Sequence, residues 1–333
     1  MNRICTFLTA ALVLPIASLA GPSGYHLART VPLPGNEGWD DLAIDRTSHQ
    51  LFITHGTHVL VISLADFSVA GDIPDTPRVH GVAFSPALGF ISDGGDNTVS
   101  IFDPKTLKVS KRIPVGTGPD AIVYDPATKK VLTFNGGSKD ATVIDVASLT
   151  VDGTVPLGGK PEFAAPDGRG TVFVNIEDTS EIVSLDPVKM VVLKRWPLAP
   201  CEEPSGLAID VAHRRLFSGC HNTMMAVVDA QTGKVLATPP IGPGVDGNRY
   251  DPATRLAFSS NGGDGTLTVV REVTPAKFEV IDTVQTQKGA RTMVLDPQTH
   301  NVYLVTADFG PPAPPATRPS IVPGTVRLLV YEK

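Results

Sequence analysis

One pattern recurs seven times along this chain of 333 residues: a polar residue, a short apolar run, an aspartate-led turn, a second apolar run and an alternating strand. The copies follow one another at 40 to 45 residues, and no segment keeps a 3.6-residue apolar period. Together these observations predict an all-β fold, a seven-bladed β-propeller with four antiparallel strands per blade, because a blade needs about four short strands and a repeat of this length. A solenoid of helices is excluded by the missing helical period.

The chain opens with Met1, Asn2 and Arg3, then an almost uncharged apolar stretch from Ile4 to Leu19 that ends in Ser18, Leu19 and Ala20. This is the pattern of a secretory signal peptide spanning residues 1–20, cleaved after Ala20. Pro15 interrupts the run and no basic stop-transfer flank follows, so a membrane span is not expected. The protein is therefore read as periplasmic or secreted, with residues 21–333 forming a single propeller domain.

The run from His26 to Pro32 (HLARTVP) matches the outer strand of later units, such as Lys108 to Pro114 (KVSKRIP). The last unit holds only three strands of its own. The N-terminal strand is thus expected to complete the final blade and close the ring, pairing edges that would otherwise lie open.

Within each unit the first hairpin is marked by a turn residue: Asp45, Ser85, Asp125, Asp167, Asp210, Asp251 and Asp296. Asp followed by Pro, as at Asp125, Asp251 and Asp296, suits a type I turn, so these aspartates are assigned to turn chemistry. Counting back five positions gives a column of residues at the start of each inner strand: Asp40, His80, Asp120, Glu162, Ser205, Asp246 and Arg291. In a propeller these starts share one face, so the column predicts a ring around one end of the central channel.

A second, wider ring is expected where the second strand of each unit ends, at His55, Asp93, Asn135, Glu177, His221, Asn261 and Asp308. The two rings would make a polar funnel on the top face. Like-charged carboxylates ~10 Å apart repel by roughly 1.7 kcal/mol at an effective dielectric of about 20, so the four inner acids with one arginine call for protons or a cation. Asp40, His80, Asp120, Glu162, Asp246 and Arg291 are the expected ligand-binding set, with Asp120 and Glu162 as candidates for proton transfer.

Two readings of the funnel stand side by side. In one it holds a divalent metal through His80, Glu162, Glu203 and His221, a mixture of nitrogen and oxygen donors that suits zinc, manganese or iron. In the other the same groups hold channel water or an organic cation. No metal-binding motif such as His-Glu-x-x-His is present, and no cofactor is otherwise indicated.

Apart from Cys5 in the leader, the chain carries Cys201 and Cys220, an even pair expected to form one disulfide in an oxidising compartment. It would pin Glu203 and His221 at the mouth or simply reinforce an exposed loop. The proline-rich stretch 309–324 would roof part of the funnel or lie out in solvent. Trp39, beside Asp40, is expected to pack between blades or to stack on a ligand.

With 34 acidic against 28 basic residues, a formal net charge of −6 and no basic cluster, nucleic-acid and anionic-membrane binding are disfavoured. The expected partner is a small molecule or metal ion, with a protein partner open, and the chain is read as a monomer.

The run from Asn97 to Asp103 (NTVSIFD), the run from Ala141 to Asp145 (ATVID) and the inter-blade link Gly116 to Asp120 (GTGPD) resemble the YVTN-repeat propellers, in particular the YncE-like periplasmic family. The resemblance covers residues 25–333. It implies a propeller fold and says little about chemistry, since relatives include lactonases, lyases, redox-enzyme subunits and proteins of unassigned role. Three functions stand as alternatives: an exported binding protein for a polar or cationic ligand, a metal-dependent lactonase-like hydrolase or lyase, and a scaffold for an envelope complex.

Overall fold

The computed structural model describes residues 21–312 and 319–333. Seven four-stranded antiparallel sheets stand around a central channel, and a short pair, Phe309–Gly310 with Ser320–Ile321, projects from the last of them. The signal peptide expected over residues 1–20 lies outside the described residues.

Blade 1 runs from Trp39–Asp45 through Gln50–His55 and His58–Ser63 to Val69–Ile73, and blades 2 to 6 repeat that order outward from the channel. In blade 7 the order from the outside is His26–Pro32, Arg327–Glu332, Val302–Thr306 and Met293–Leu295. The N-terminal strand therefore closes the ring, with Leu27 opposite Tyr331 and Pro32 opposite Arg327.

Burial follows position in the blade. Second and third strands, such as Lys130–Asn135 and Asp140–Asp145, are pressed between neighbouring blades and buried on both faces, which is why they read as apolar runs rather than alternating ones. Outer strands such as Lys108–Pro114 meet solvent and are mostly exposed. Between blades the cores are aromatic and β-branched; Phe52, Phe84 and Phe102 form one such cluster, with ring centroids 4.9–6.0 Å apart.

The turn aspartates behave as the sequence predicts. Asp125 accepts from Ala127 N and Thr128 Oγ1, Asp251 from Ala253 N and Thr254 Oγ1, and Asp296 from Gln298 N and Thr299 Oγ1. Cys201 and Cys220 form the expected disulfide, with Cα atoms 5.6 Å apart. Among the described residues no helix is long and apolar enough to cross a membrane.

One feature of the inner strands had no visible mark in the sequence. In blades 1 to 6 the pairing of the first two strands slips at the same place, between Trp39 and Leu42, Val79 and Val82, Pro119 and Ile122, Pro161 and Ala164, Pro204 and Leu207, and Val245 and Gly247. Each slip is a β-bulge, and each contains the column residue of its blade. A bulge adds one residue and re-aims its side chain, here toward the channel mouth.

Candidate funnel site on the top face

All seven column residues, Asp40, His80, Asp120, Glu162, Ser205, Asp246 and Arg291, line one cavity of about 510 Å³. The bulges that carry them are held from behind by hydroxyls and amides of the second strands. Thr54 Oγ1 accepts from Asp41 N at 2.8 Å and donates to Asp41 O at 3.0 Å. Ser92 Oγ accepts from Gly81 N at 2.8 Å and donates to Asp120 O of the next blade, and Asn175 Nδ2 donates to Ser205 O of the next at 2.9 Å. Thr292 Oγ1 closes the circuit on Asp40 O. Hydrogen bonds thereby tie the bulges across the seams between blades 2 and 3, 4 and 5, and 7 and 1.

On one side of the mouth Arg291 bridges two acids, with Nη2 3.0 Å from Asp40 Oδ1 and Nε 2.8 Å from Asp246 Oδ2. Ser205 Oγ donates to the other Asp246 oxygen at 2.8 Å. Burial raises the Asp246 carboxyl above its usual range, opposed by Arg291, and raises Asp41 one layer deeper to about 6, opposed by Arg249.

Across the mouth Lys160 Nζ lies 2.7 Å from Glu162 Oε1 and also pairs with Glu177. Burial and then the charge of Asp120 push Glu162 up to about 8, against the pull of Lys160. Asp120 itself is lifted to about 6 by burial.

Between these two bridges His80 stands with Nδ1 2.5 Å from Asp40 Oδ2 and 3.7 Å from Asp120 Oδ1. Burial works against its protonation, but the hydrogen bond to Asp40 and the nearby carboxylate charges outweigh it and raise the imidazole pKa. Asp40, His80 and Asp120 each offer a donor atom, all within 4.8 Å of one another. Among the described residues Asp120 has no lysine or arginine within salt-bridge distance, and it faces the cavity with a side chain 40% exposed.

The four residues expected to hold a metal are not brought together. His80 joins Asp40 and Asp120; Glu162 is taken by Lys160; Glu203 pairs with His221 at 3.4 Å on an exposed rim, tethered by the disulfide. His221 reaches the cavity wall, but Glu203 does not line it. The reason is local: Glu203 sits at the left-handed link position two residues before Ser205, with φ of 50°, which turns its side chain outward.

The second ring also differs from expectation. Only Glu177 and His221 line the cavity. His55, Asp93, Asn135 and Asn261 are fully buried inside their own blades, where Asn135 donates to Asp140 and Thr142, and Asn261 to Thr266 and Thr268. Asp93, Asn135 and Asn261 tie their second hairpins instead of walling a funnel, while His55 is buried with neither ring nitrogen hydrogen-bonded. Asp308 is drawn off to Arg327 and Gln287.

Trp39 is buried in the seam between blades 1 and 7 and faces Phe309, ring centroids 6.3 Å apart, so it packs rather than lining the cavity. Residues 313–318 of the proline-rich stretch lie outside the described residues.

Three functional side chains escaped the sequence reading. Lys160 occupies a link position that is glycine in four other blades, at Gly38, Gly118, Gly244 and Gly289. Asp41 and Arg249 stand in channel layers otherwise filled by residues such as Gly81 and Ala121, or Ala43 and Ala208; they pair at 3.3 Å, with the guanidinium 5.7 Å from the centre of the Phe163 ring. Asp41 and Arg249 are the charges in columns of otherwise uncharged, mostly small residues, and Lys160 stands where four blades carry glycine; that contrast was available in the repeat.

No family model and no curated protein matches this chain. Similar solved structures are a chain of Kuenenia stuttgartiensis hydrazine synthase, at 16% identity and TM-score 0.70, covering 81% of this chain and 93% of that one; U3-55K, at 10% and 0.74, covering 90% and 97%; and a chain of the mitotic checkpoint complex, at 13% and 0.75, covering 98% and 99%. At such identities the likeness is one of fold, and it agrees with the seven four-stranded sheets: this chain is a seven-bladed β-propeller.

Proposed function

We propose that this protein is an exported, YVTN-type propeller that binds a small cation-bearing ligand, or a divalent metal, in its top funnel. The observation that carries the reading is the charge of the cavity: Asp40, Asp41, Asp120, Glu162, Glu177 and Asp246 line it against Lys160 and Arg291, with Arg249 beside Asp41. Lys160, Arg291 and Arg249 are already engaged, and Asp120, whose partner within salt-bridge distance among the described residues is His80 at 3.7 Å, is left as the open carboxylate. An ammonium group or a divalent ion supplies the missing positive charge, and the hydrogen-bonded bulges hold its acceptors in place before it arrives. The disulfide accords with export.

Asp120→Asn removes one charge from the open side without cutting any hydrogen bond that fixes the ring. At pH 7.5, above its pKa of about 6, the substitution is expected to weaken binding at least tenfold, since a unit charge even ~10 Å away supplies ~1.7 kcal/mol and Asp120 would stand closer. Isothermal titration of chelator-treated protein with manganese and with a panel of organic amines checks this. No heat with any of them, or equal affinities for both proteins, would sink the binding reading.

A second reading, a metal-dependent hydrolase or lyase, is favoured by one observation: Glu162, pushed to about 8, keeps a proton near neutrality beside Asp120, held near 6. Two carboxyls with separated pKa values are what acid and base roles need. Turnover of lactones or esters that disappears in Glu162→Gln supports this reading; background rates with every metal tried dismiss it.

A further inference from the structure

On the opposite face, at the seam between blades 5 and 6, a second cluster departs from the repeat. In blades 1, 3, 6 and 7 the residue three after the turn aspartate is Ser48, Thr128, Thr254 or Thr299, whose hydroxyl bonds that aspartate. In blade 5 the position is His213, whose Nδ1 lies 2.5 Å from Asp210 Oδ2. The third strand has six residues in the other blades, whereas in blade 6 it runs on from Thr266 to Thr274. The extension delivers Glu272 to the same point, with Oε1 3.3 Å from His213 Nδ1.

Glu272 has a side chain 0% exposed, and its Oε1 has no hydrogen-bond partner. A buried carboxylate oxygen left unpaired is costly, and this one points at the imidazole. Its other oxygen is fixed by Tyr250, whose hydroxyl donates to Glu272 Oε2 at 2.6 Å and lies 3.3 Å from Asp210 Oδ2. Arg255 Nη2 stands 3.8 Å from Oε1, a charge contact beyond hydrogen-bonding reach.

We propose that Asp210, His213 and Glu272 form a transition-metal site suited to zinc, with Tyr250 as its orienting neighbour. One donor atom from each lies within 4.8 Å of the others. Two ligands held at ~2.0–2.1 Å in a tetrahedron stand about 3.3 Å apart, which is the spacing already present between His213 and Glu272. Asp210 and His213 must open from their hydrogen bond by somewhat under 1 Å, and His213, 40% exposed, has room to do so. Its exposure also gives the ion a path from solvent, and leaves a fourth position for water. One imidazole and two carboxylates favour zinc over manganese in affinity. The inner strand places this site roughly 17 Å from the top funnel, at ~3.3 Å per residue from Ser205 to Asp210, so the two are separate.

Anomalous diffraction at the zinc edge, from crystals of the full chain grown with zinc chloride, is expected to show a peak inside this triangle. Zinc titration of His213→Ala should lose one equivalent, and Tyr250→Phe should weaken that equivalent 10- to 100-fold, as loss of a ligand-orienting contact does. His213 lies on an exposed turn, so its removal leaves the fold intact. A map without a peak at the seam, or unchanged zinc stoichiometry in His213→Ala, overturns the proposal whatever the top funnel binds.

Discussion

Arg291→Met is expected to lower stability by about 1 to 2 kcal/mol at neutral pH, because the two charge-assisted contacts it breaks are only partly buried and the arginine side chain is 41% exposed. The arginine sits between Asp40 and Asp246, both partly buried, and also donates to Trp39 O. Without it Asp40 keeps only His80, and Asp246, already raised by burial, loses the charge that opposes that rise and moves further up. A carboxyl whose folded pKa is raised gives up stability as pH rises through that value, so the deficit should shrink on acidification. Urea unfolding at two pH values measures it, and the double variant Arg291→Met with Asp246→Asn should recover part of the loss.

The same substitution makes opposite demands on stability and binding. Removing a positive charge that stands one carboxylate away from the Asp40, His80 and Asp120 cluster adds attraction for a cation, on the order of 1.7 kcal/mol if the separation is ~10 Å, so affinity for manganese or an amine should rise roughly tenfold while the fold weakens. A variant that loses both would mean that Arg291 holds the ligand itself, through an anionic group, and the cation reading would then fail.

How far the sequence reached is clear at the column. Aspartate-led turns set the register of each inner strand, and every residue five before a turn lies at the channel mouth, because the strands are short and the offset is the same in each blade. The bulges were hidden, since a one-residue slip in pairing leaves no trace in apolar spacing. They explain why counting succeeded for the inner ring and failed for the outer one. The ends of the second strands face neighbouring strands of their own blade, so Asp93, Asn135 and Asn261 point into hairpins. Lys160, Asp41 and Arg249 were missed for a different reason: they lie beside the column rather than in it, where most blades carry small residues, and a charge at such a position is as informative as a charge within the column.

Asp93→Asn is expected to stabilise the protein by up to about 3 kcal/mol at pH 7.5, and the reason lies in a difference between blades. Asp93 is fully buried, its Oδ1 has no partner, and its Oδ2 accepts from Ser100 at 2.6 Å and Thr98 at 3.3 Å. Blades 3 and 6 carry Asn135 and Asn261 at this position, and their amides meet the matching Thr142 and Thr268 hydroxyls at 3.0 and 2.9 Å. An asparagine therefore fits the hairpin as it stands, with no charge to bury. Burial lifts Asp93 to about 6, from 3.8 in the unfolded chain, so the wild type holds its full stability below pH 4 and loses it as pH rises through 6. At 1.36 kcal/mol per pKa unit that loss is about 3 kcal/mol, and an asparagine does not incur it. Thermal unfolding of both proteins at pH 7.5 and pH 4 should show a gap at the higher pH that closes at the lower. A variant less stable than wild type at both would mean that the ionised carboxylate is being held by a partner, contrary to the isolation that its buried oxygen implies.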